Sequence, residues 1–334
     1  MGSARAAASP RALHGLGSSP KFVPSAWVST AHFAATRAHP ELSRSVASFA
    51  ASMIDIYSGH ALLNKVLCDR GRILVGLFVL YLDVLPLPGT QECGASLSAV
   101  QTLCSRTGVC SRGRAASVLA ALRFGGYIAP RADPKDHRRR ILVPAHKLIA
   151  AHQLHWVRQF EAMVPVFPNA ALVPARLNGH GFRTAFLHEL GAHFFAGFRV
   201  LDHAPILAEL AESNAGLLTL SSFALPVLAG VARPGEAVTI SISALSRRFC
   251  VSRGHIRNML VVSQRAGLLD HTRGSDTLVV LPPLVEALIQ FYAVLFILFN
   301  RCAAGAWRNV GVSDVPIHSI SASGMHRRSV GEMM

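Results

Sequence analysis

The stretch TGVCSRGRAASVLAALRFGGYIAPRADPKDHRRRILVP, Thr107–Pro144, decides the fold. Thr107-Gly108-Val109 breaks a helical run, Leu97–Ser105, whose Val100, Leu103 and Cys104 share one face. Gly108 can take the positive φ that a sharp turn needs. From Ser111 to Phe124 the residues Ala115, Val118, Leu119 and Leu122 recur at the spacing of a buried helical stripe. The opposite face presents Arg112, Arg114, Ser117 and Arg123. This pattern predicts a helix-turn-helix, whose second helix enters the major groove of DNA. Tyr127–Arg131 and Arg140–Val143 read as two strands around the tip ADPKDHRR, which adds a wing. A loop crowded with Lys135, Arg138, Arg139 and Arg140 repels itself unless an anion lies against it. Phosphates beside the minor groove supply that anion. A solvated basic hairpin is the alternative.

The charge of the whole chain points the same way. Its 334 residues carry 33 Lys+Arg against 18 Asp+Glu, a formal +15. That balance favours an anionic partner, nucleic acid before an acidic membrane surface. Residues 96–149 hold ten Lys+Arg and two acids, so +8 of the charge sits around the helix-turn-helix. With 51% hydrophobic residues, a large core is available.

Sliding the sequence against itself gives one informative offset, 141 residues. Ser105, Arg106, Ser111, Arg112, Gly113, Leu119 and Gly126 fall on Ser246, Arg247, Ser252, Arg253, Gly254, Leu260 and Gly267. Composition alone supplies roughly two such identities in the interval 103–128. Apolar helical stretches near Ala61–Leu85 and Ala204–Ala229 precede the two copies, and a Pro/Gly loop follows each. The chain therefore reads as two related halves, each with its own helix-turn-helix and wing. In the second copy Ile256, Met259 and Leu260 take the core positions, while Arg253, His255, Arg257 and Asn258 project outward. Arg pairs with guanine and Asn with adenine, so this helix is the better supplied for reading bases. Its wing, RGSD between Leu268–Thr272 and Thr277–Leu281, is short, and Arg273 is offset by Asp276. One reading gives affinity to the first wing and specificity to the second helix. The other makes one copy a structural or dimerising domain.

The first copy resembles the winged-helix domain of MarR-type transcriptional regulators. The features in common are the Gly108-Val109 turn, Gly126-Tyr127-Ile128 opening the wing, and Asp136-x-Arg138 within it. By that resemblance Asp136 would brace the wing and Arg138 would reach the minor groove. Recognition-helix contacts would fall on Ser111, Arg112, Arg114, Ala116 and Ser117. Two units in one chain depart from the family's single-domain plan.

The expected fold class is mainly α with small β-hairpin wings, two winged helix-turn-helix units embedded among apolar helices. Residues 1–40 contain Arg5, Arg11, Lys21 and Arg37 with no acid, and read as a disordered basic arm or a transit peptide. Helices and the first unit fill 41–165, with the helix-turn-helix at 96–126 and the wing at 127–144. A Pro-, Gly- and Asn-bearing linker is expected at 166–180. Helices and the second unit fill 181–305, with the helix-turn-helix at 238–267 and the wing at 268–282. A flexible tail is expected at 306–334. Ile73–Leu82 and Ala287–Phe299 are charge-free but shorter than the roughly 18–20 residues of a spanning helix. They read as buried or dimer-forming helices, with no membrane partner. The apolar stretches 146–164 and 284–299 are the expected homodimer surface; a pseudo-dimer within one chain is the alternative.

Several chemistries are disfavoured. HELGAH places His188 and His193 five apart, about 140° round a helix, whereas the zinc-protease pattern needs them four apart. His152 and His155 have a ligand-compatible spacing without nearby acids or cysteines. The sequence has no Walker loop, no dinucleotide fingerprint and no nucleophile elbow. The six cysteines contain no Cys-x-x-Cys pair and read as core thiols of a reducing compartment. Five residues separate Cys104 from Cys110, which fits neither a zinc knuckle nor a redox motif. No catalytic residue, cofactor or metal is expected. The expected function is sequence-specific binding of double-stranded DNA by a cytoplasmic, nucleoid-associated regulator of bacterial type, with room for an unidentified small effector. A plasmid-type replication initiator and a winged-helix protein-interaction scaffold are the rivals.

Overall fold

The computed structural model describes residues 28–87, 94–133, 138 and 140–310. The first half runs α1 (Thr30–Arg37), α2 (Leu42–Tyr57), α3 (Ala61–Leu67), α4 (Arg70–Val84), α5 (Leu97–Arg106), α6 (Arg112–Phe124), β1 (Ile128–Ala132), β2 (Arg140–Pro144) and α7 (His146–Met163). The second half continues with a 3-10 turn (Pro168–Leu172), α8 (Val173–Arg176) and α9 (His180–Phe195). Two 3-10 turns, Val200–His203 and Pro205–Leu207, then lead to α10 (Ala208–Ala211) and α11 (Gly216–Leu228). β3 (Ala237–Thr239), α12 (Ile242–Phe249), α13 (Arg253–Arg265), β4 (Leu269–Asp270), β5 (Thr277–Val280) and α14 (Pro282–Asn309) complete it. The described chain is thus mainly helical, with two small antiparallel sheets.

Local chemistry explains the central unit of each half. Ser96 opens α5 by accepting from Ala99 N, and Ser111 opens α6 by accepting from Arg114 N. The α5 helix stops where Gly108 takes φ +68°. There Val109 N donates to Cys104 O at 3.0 Å and Gly108 N to Ser105 O at 3.3 Å, satisfying carbonyls the helix leaves open. Gly126, at φ +71°, ends α6 in the same way, with Tyr127 N donating to Leu122 O. The chain then forms the β1–β2 hairpin, paired from Ile128↔Pro144 to Ala132↔Arg140. Residues just before α5 join it, Leu142 N donating to Ala95 O at 2.7 Å.

The second unit follows the same plan, with β5 between β3 and β4. Ser252 caps α13 on His255 N, and Gly267, at φ +67°, ends it as Leu268 N donates to Ser263 O. The repeated Ser111/Ser252 and Gly126/Gly267 therefore mark one start and one stop. The expected stripes are buried: Ala115, Val118, Leu119 and Leu122 in α6, and Ile256, Met259 and Leu260 in α13. The turn differs, and the second sheet has a third strand. The second helix pair turns over Cys250 at φ +54°, a left-handed position held without glycine.

The halves are not separate domains. One continuous core contains α2, α9, α11 and α14 together. The expected linker at 166–180 is folded, because Val166, Phe167, Ala170, Val173 and Leu177 are buried against α7 and its surroundings. The expected arm is ordered over 28–40: Val28 and Phe33 are buried and α1 packs on α14. Of the expected tail at 306–334, the first residues belong to the last turn of α14, with Ala306 and Trp307 buried. Residues 1–27 and 311–334 lie outside the described residues.

The packing is reciprocal. In the first half α1 lies on α14 of the second, and its counterpart, the Pro168–Leu172 turn with α8, lies on α7 of the first. Likewise α2 packs on α11 and α9 on α4. Hydrogen bonds repeat the exchange at the two helix-helix turns. Arg199 Nη2 donates to Thr107 O at 3.0 Å, and Gly59 N donates to Arg248 O at 3.0 Å. With the 141-residue offset, Thr107 corresponds to Arg248 and Gly59 to Val200, the neighbour of Arg199.

The α14 helix has 28 residues, longer than its apolar run, and is long and apolar enough to cross a membrane by length and composition. Here 67% of its most apolar window is buried inside the protein. It runs beside α9, α1, α2, α11 and α7. Its inner polar groups are satisfied locally: Gln290 Nε2 donates to His203 O, and the Ser221 and Tyr292 hydroxyls are 3.0 Å apart. Much of the apolar surface that suggested a second copy, on α7 as on α14, is covered by this same chain.

Two histidines in this core make stability depend on pH. His152 and His155 on α7 are buried beside Trp156 and Tyr57, and neither Nε2 has a hydrogen-bond partner. Burial pushes His152 down to about 3, helped by the neighbouring His155, and pushes His155 down to about 4. Both are neutral when folded and ordinary when unfolded, at about 6.5. Their contribution is complete above about pH 6.5 and is lost as the pH falls toward the folded values. The urea midpoint should decline from about pH 6.5 downward, and less steeply in His152→Leu. Parallel profiles for the two proteins would contradict this.

Candidate nucleic-acid interface

The four helices of the two units, α5, α6, α12 and α13, carry nine arginines and no carboxylate. Burial of the opposite faces leaves most of these cations turned outward. Arg106, Arg112, Arg123, Arg247, Arg248, Arg253, Arg257 and Arg265 are all exposed. Five of these, Arg106, Arg123, Arg247, Arg248 and Arg265, were not among the expected contacts. They sit in last turns, where a cation also complements the helix dipole, so their spacing gave no separate signal.

The start of each second helix has one design. Ser111 or Ser252 caps, Arg112 or Arg253 follows in solvent, and Gly113 or Gly254 comes next. Glycine there has no internal cause. A Cβ on Gly113 would meet nothing within 4 Å, and one on Gly254 only the Ser252 Oγ at 3.7 Å. The bare backbone beside an exposed guanidinium leaves room for a close external approach.

The third helical position is used differently from the sequence expectation, in both copies. Arg114 is half-exposed, and its Nη2 lies 3.5 Å from Asp69 Oδ2. Asp69 caps α4 and also pairs with Arg72 Nε at 3.1 Å, so a buried carboxylate sits under the start of α6 and draws Arg114 toward it. His255 occupies the equivalent position, and its Nε2 lies 2.8 Å from Asn214 O. That carbonyl is presented at the turn where Ala215 takes φ +52°. Arg114 and His255 therefore tie the start of each second helix back to the chain, Arg114 to the start of α4 and His255 to the turn before α11.

The remaining outward positions are unequal. On α6 they are Ala116, half-buried, and Ser117, whose hydroxyl donates back to Gly113 O at 3.1 Å. On α13 they are Arg257 and Asn258, both exposed. The hairpins are unequal in the opposite sense. In the first, Arg131, Arg138 and Arg140 are exposed and Asp133 is buried. Lys135, Asp136 and Arg139 lie outside the described residues. In the second, Arg273 is exposed next to Gly274 at φ +87°, in a tight loop held by Ser275 N donating to Thr272 O at 2.9 Å. Lys147 is spent internally: Nζ donates to Gly125 O at 3.1 Å and lies 4.4 Å over the Tyr127 ring.

The HELGAH histidines diverge as the helical geometry requires, His188 exposed and His193 buried on α9. Comparison with family models, with curated proteins and with solved structures gives no match for this chain.

If the glycines answer to nothing inside the protein, filling them should help folding. Gly113→Ala and Gly254→Ala should each raise stability by up to about 1 kcal/mol, the difference in helix propensity. Urea denaturation tests this; a loss of stability would reveal an internal contact that forbids the side chain.

Proposed function

We propose that the chain is a sequence-specific, double-stranded DNA-binding protein acting as a transcriptional regulator, with each helix-turn-helix and hairpin working as a winged helix. The observation that carries this reading is the repetition, within one chain, of an acid-free second helix with an exposed Arg and an unfilled Gly at its start. Phosphate contacts would fall to Arg112, Arg253 and the first hairpin, and they set register without reading sequence. Base reading would fall mainly to Arg257 and Asn258, because Ala116 and the back-bonded Ser117 offer little to a base edge. With both units on one core, one polypeptide would bring two heads to one duplex, as dimeric helix-turn-helix proteins do.

That packing also favours the replication-initiator reading, in which two winged helices joined as a pseudo-dimer bind direct repeats at an origin. A footprint on promoters separates the regulator from it. A scaffold that docks protein would show duplex affinity indifferent to the exposed arginines.

Two measurements test the division of labour. Arg138→Ala with Arg140→Ala should weaken binding to all duplexes and lower the salt dependence by about one unit of slope for each phosphate no longer neutralised. An unchanged slope would remove the hairpin from the interface. Asn258→Ala should relax preference at one base position by about 1–3 kcal/mol. Selection from random duplexes that returns the same motif for this variant would show that α13 does not read sequence.

A further inference from the structure

The turn between α5 and α6 carries two cysteines whose spacing along the chain matches no redox motif. We propose that Cys104 and Cys110 form a dithiol site, which hydroperoxides oxidise to a disulfide across this turn.

The geometry comes from the helix stop. Cys104 lies in the last turn of α5, and its carbonyl accepts from Val109 N at 3.0 Å and from Cys110 N at 3.5 Å. Folding the chain back in this way sets the two backbones side by side, the proximity a disulfide requires. The two thiols are close enough for each to perturb the other's ionisation. Both are free thiols; Cys104 is fully buried and Cys110 half-buried, so a small oxidant meets Cys110 first.

The surroundings assign the order of events. Burial raises both thiols, Cys104 to about 12. Cys110 is the one a small oxidant can reach, and against the larger effect of burial the neighbouring Cys104 and the Arg114 guanidinium both favour its thiolate. Cys110 is therefore the attacking sulfur. Its thiolate takes the terminal oxygen of the hydroperoxide, the O–O bond breaks, and the alcohol leaves after protonation. The resulting Cys110 sulfenic acid is attacked by Cys104 sulfur. The S–S bond forms, the Cys104 proton and the departing hydroxide leave as water, and two electrons have passed from the dithiol to the peroxide.

The position gives the bond a consequence. Thr107, between the two cysteines, is the residue whose carbonyl Arg199 of the other half holds at 3.0 Å. Arg199 is itself fixed by Phe194 O, by Phe198 O at 2.9 Å and by the Phe194 ring 3.7 Å away. A cross-link closing the turn thus acts both on the entry to α6 and on a contact between the halves. The effect on DNA rests on the function proposed above; the bond does not.

The test uses the full chain, fully reduced, then exposed to hydrogen peroxide, alkylated and mapped by peptide mass spectrometry. The expected result is a Cys104–Cys110 cross-linked peptide that dithiothreitol removes, forming faster as the pH is raised. In Cys104→Ala, a dimedone-type reagent should instead trap a sulfenic acid on Cys110; in Cys110→Ser the cross-link should vanish. Circular dichroism establishes that each variant is folded, and Cys104→Val replaces Cys104→Ala if that one is not. Conversion of Cys110 straight to sulfinic acid, or its linkage to Cys250 or another cysteine, overturns the proposal. Mapping decides the site whether or not any duplex binds, so its failure is separable from failure of the DNA reading.

Discussion

The structure depends on how α14 is buried. A 28-residue helix with most of its side chains apolar cannot be covered by the half that carries it. The first half supplies α1, α2 and α7, and the second supplies α9 and α11. Removing this surface from water, at roughly 25 cal/mol per Å² of apolar area, is the dominant favourable term available to the fold. It also fixes geometry. Once α14 is enclosed from both sides, the two helix pairs with their hairpins are mounted on one core. Close approaches rely on small residues: a Cβ on Gly191 would lie 2.3 Å from the Tyr81 ring, where α9 crosses α4.

The units themselves were legible because their determinants are local. A capping serine, a left-handed glycine and a stripe of apolar residues are read within a dozen positions. Ser111 and Ser252, Gly126 and Gly267, and Gly108 in the first unit behave as such signals should. The strands of the first hairpin fall within a residue of expectation, Ile128–Ala132 and Arg140–Pro144. The second hairpin is shorter than Leu268–Thr272 and Thr277–Leu281 suggested. Its tight loop consumes the strand ends through His271 Nε2 and Ser275 O, 3.1 Å apart.

What escaped the sequence was long-range pairing. The outward spacing of Arg114 is genuine, yet nothing near it announces Asp69, 45 positions earlier. His255 likewise meets a carbonyl 41 positions away. The segment 166–180 has a linker's Pro, Gly and Asn, but its Val166, Phe167, Val173 and Leu177 decide the outcome by burial. Punctuating residues break regular structure; they do not expose it. The cysteines illustrate the same limit, since separation along the chain says little once a helix stop folds it back.

Fusing two heads into one polypeptide removes a restriction that identical subunits obey. In a homodimer every substitution appears twice, so both heads must stay alike and their target must be symmetric. Here Ala116 and Ser117 stand against Arg257 and Asn258, and a long cationic hairpin stands against a short one. Such a molecule has a front and a back. On the DNA reading, it would lie on its site in one orientation only, giving the bound duplex a polarity that anything assembling beside it could sense.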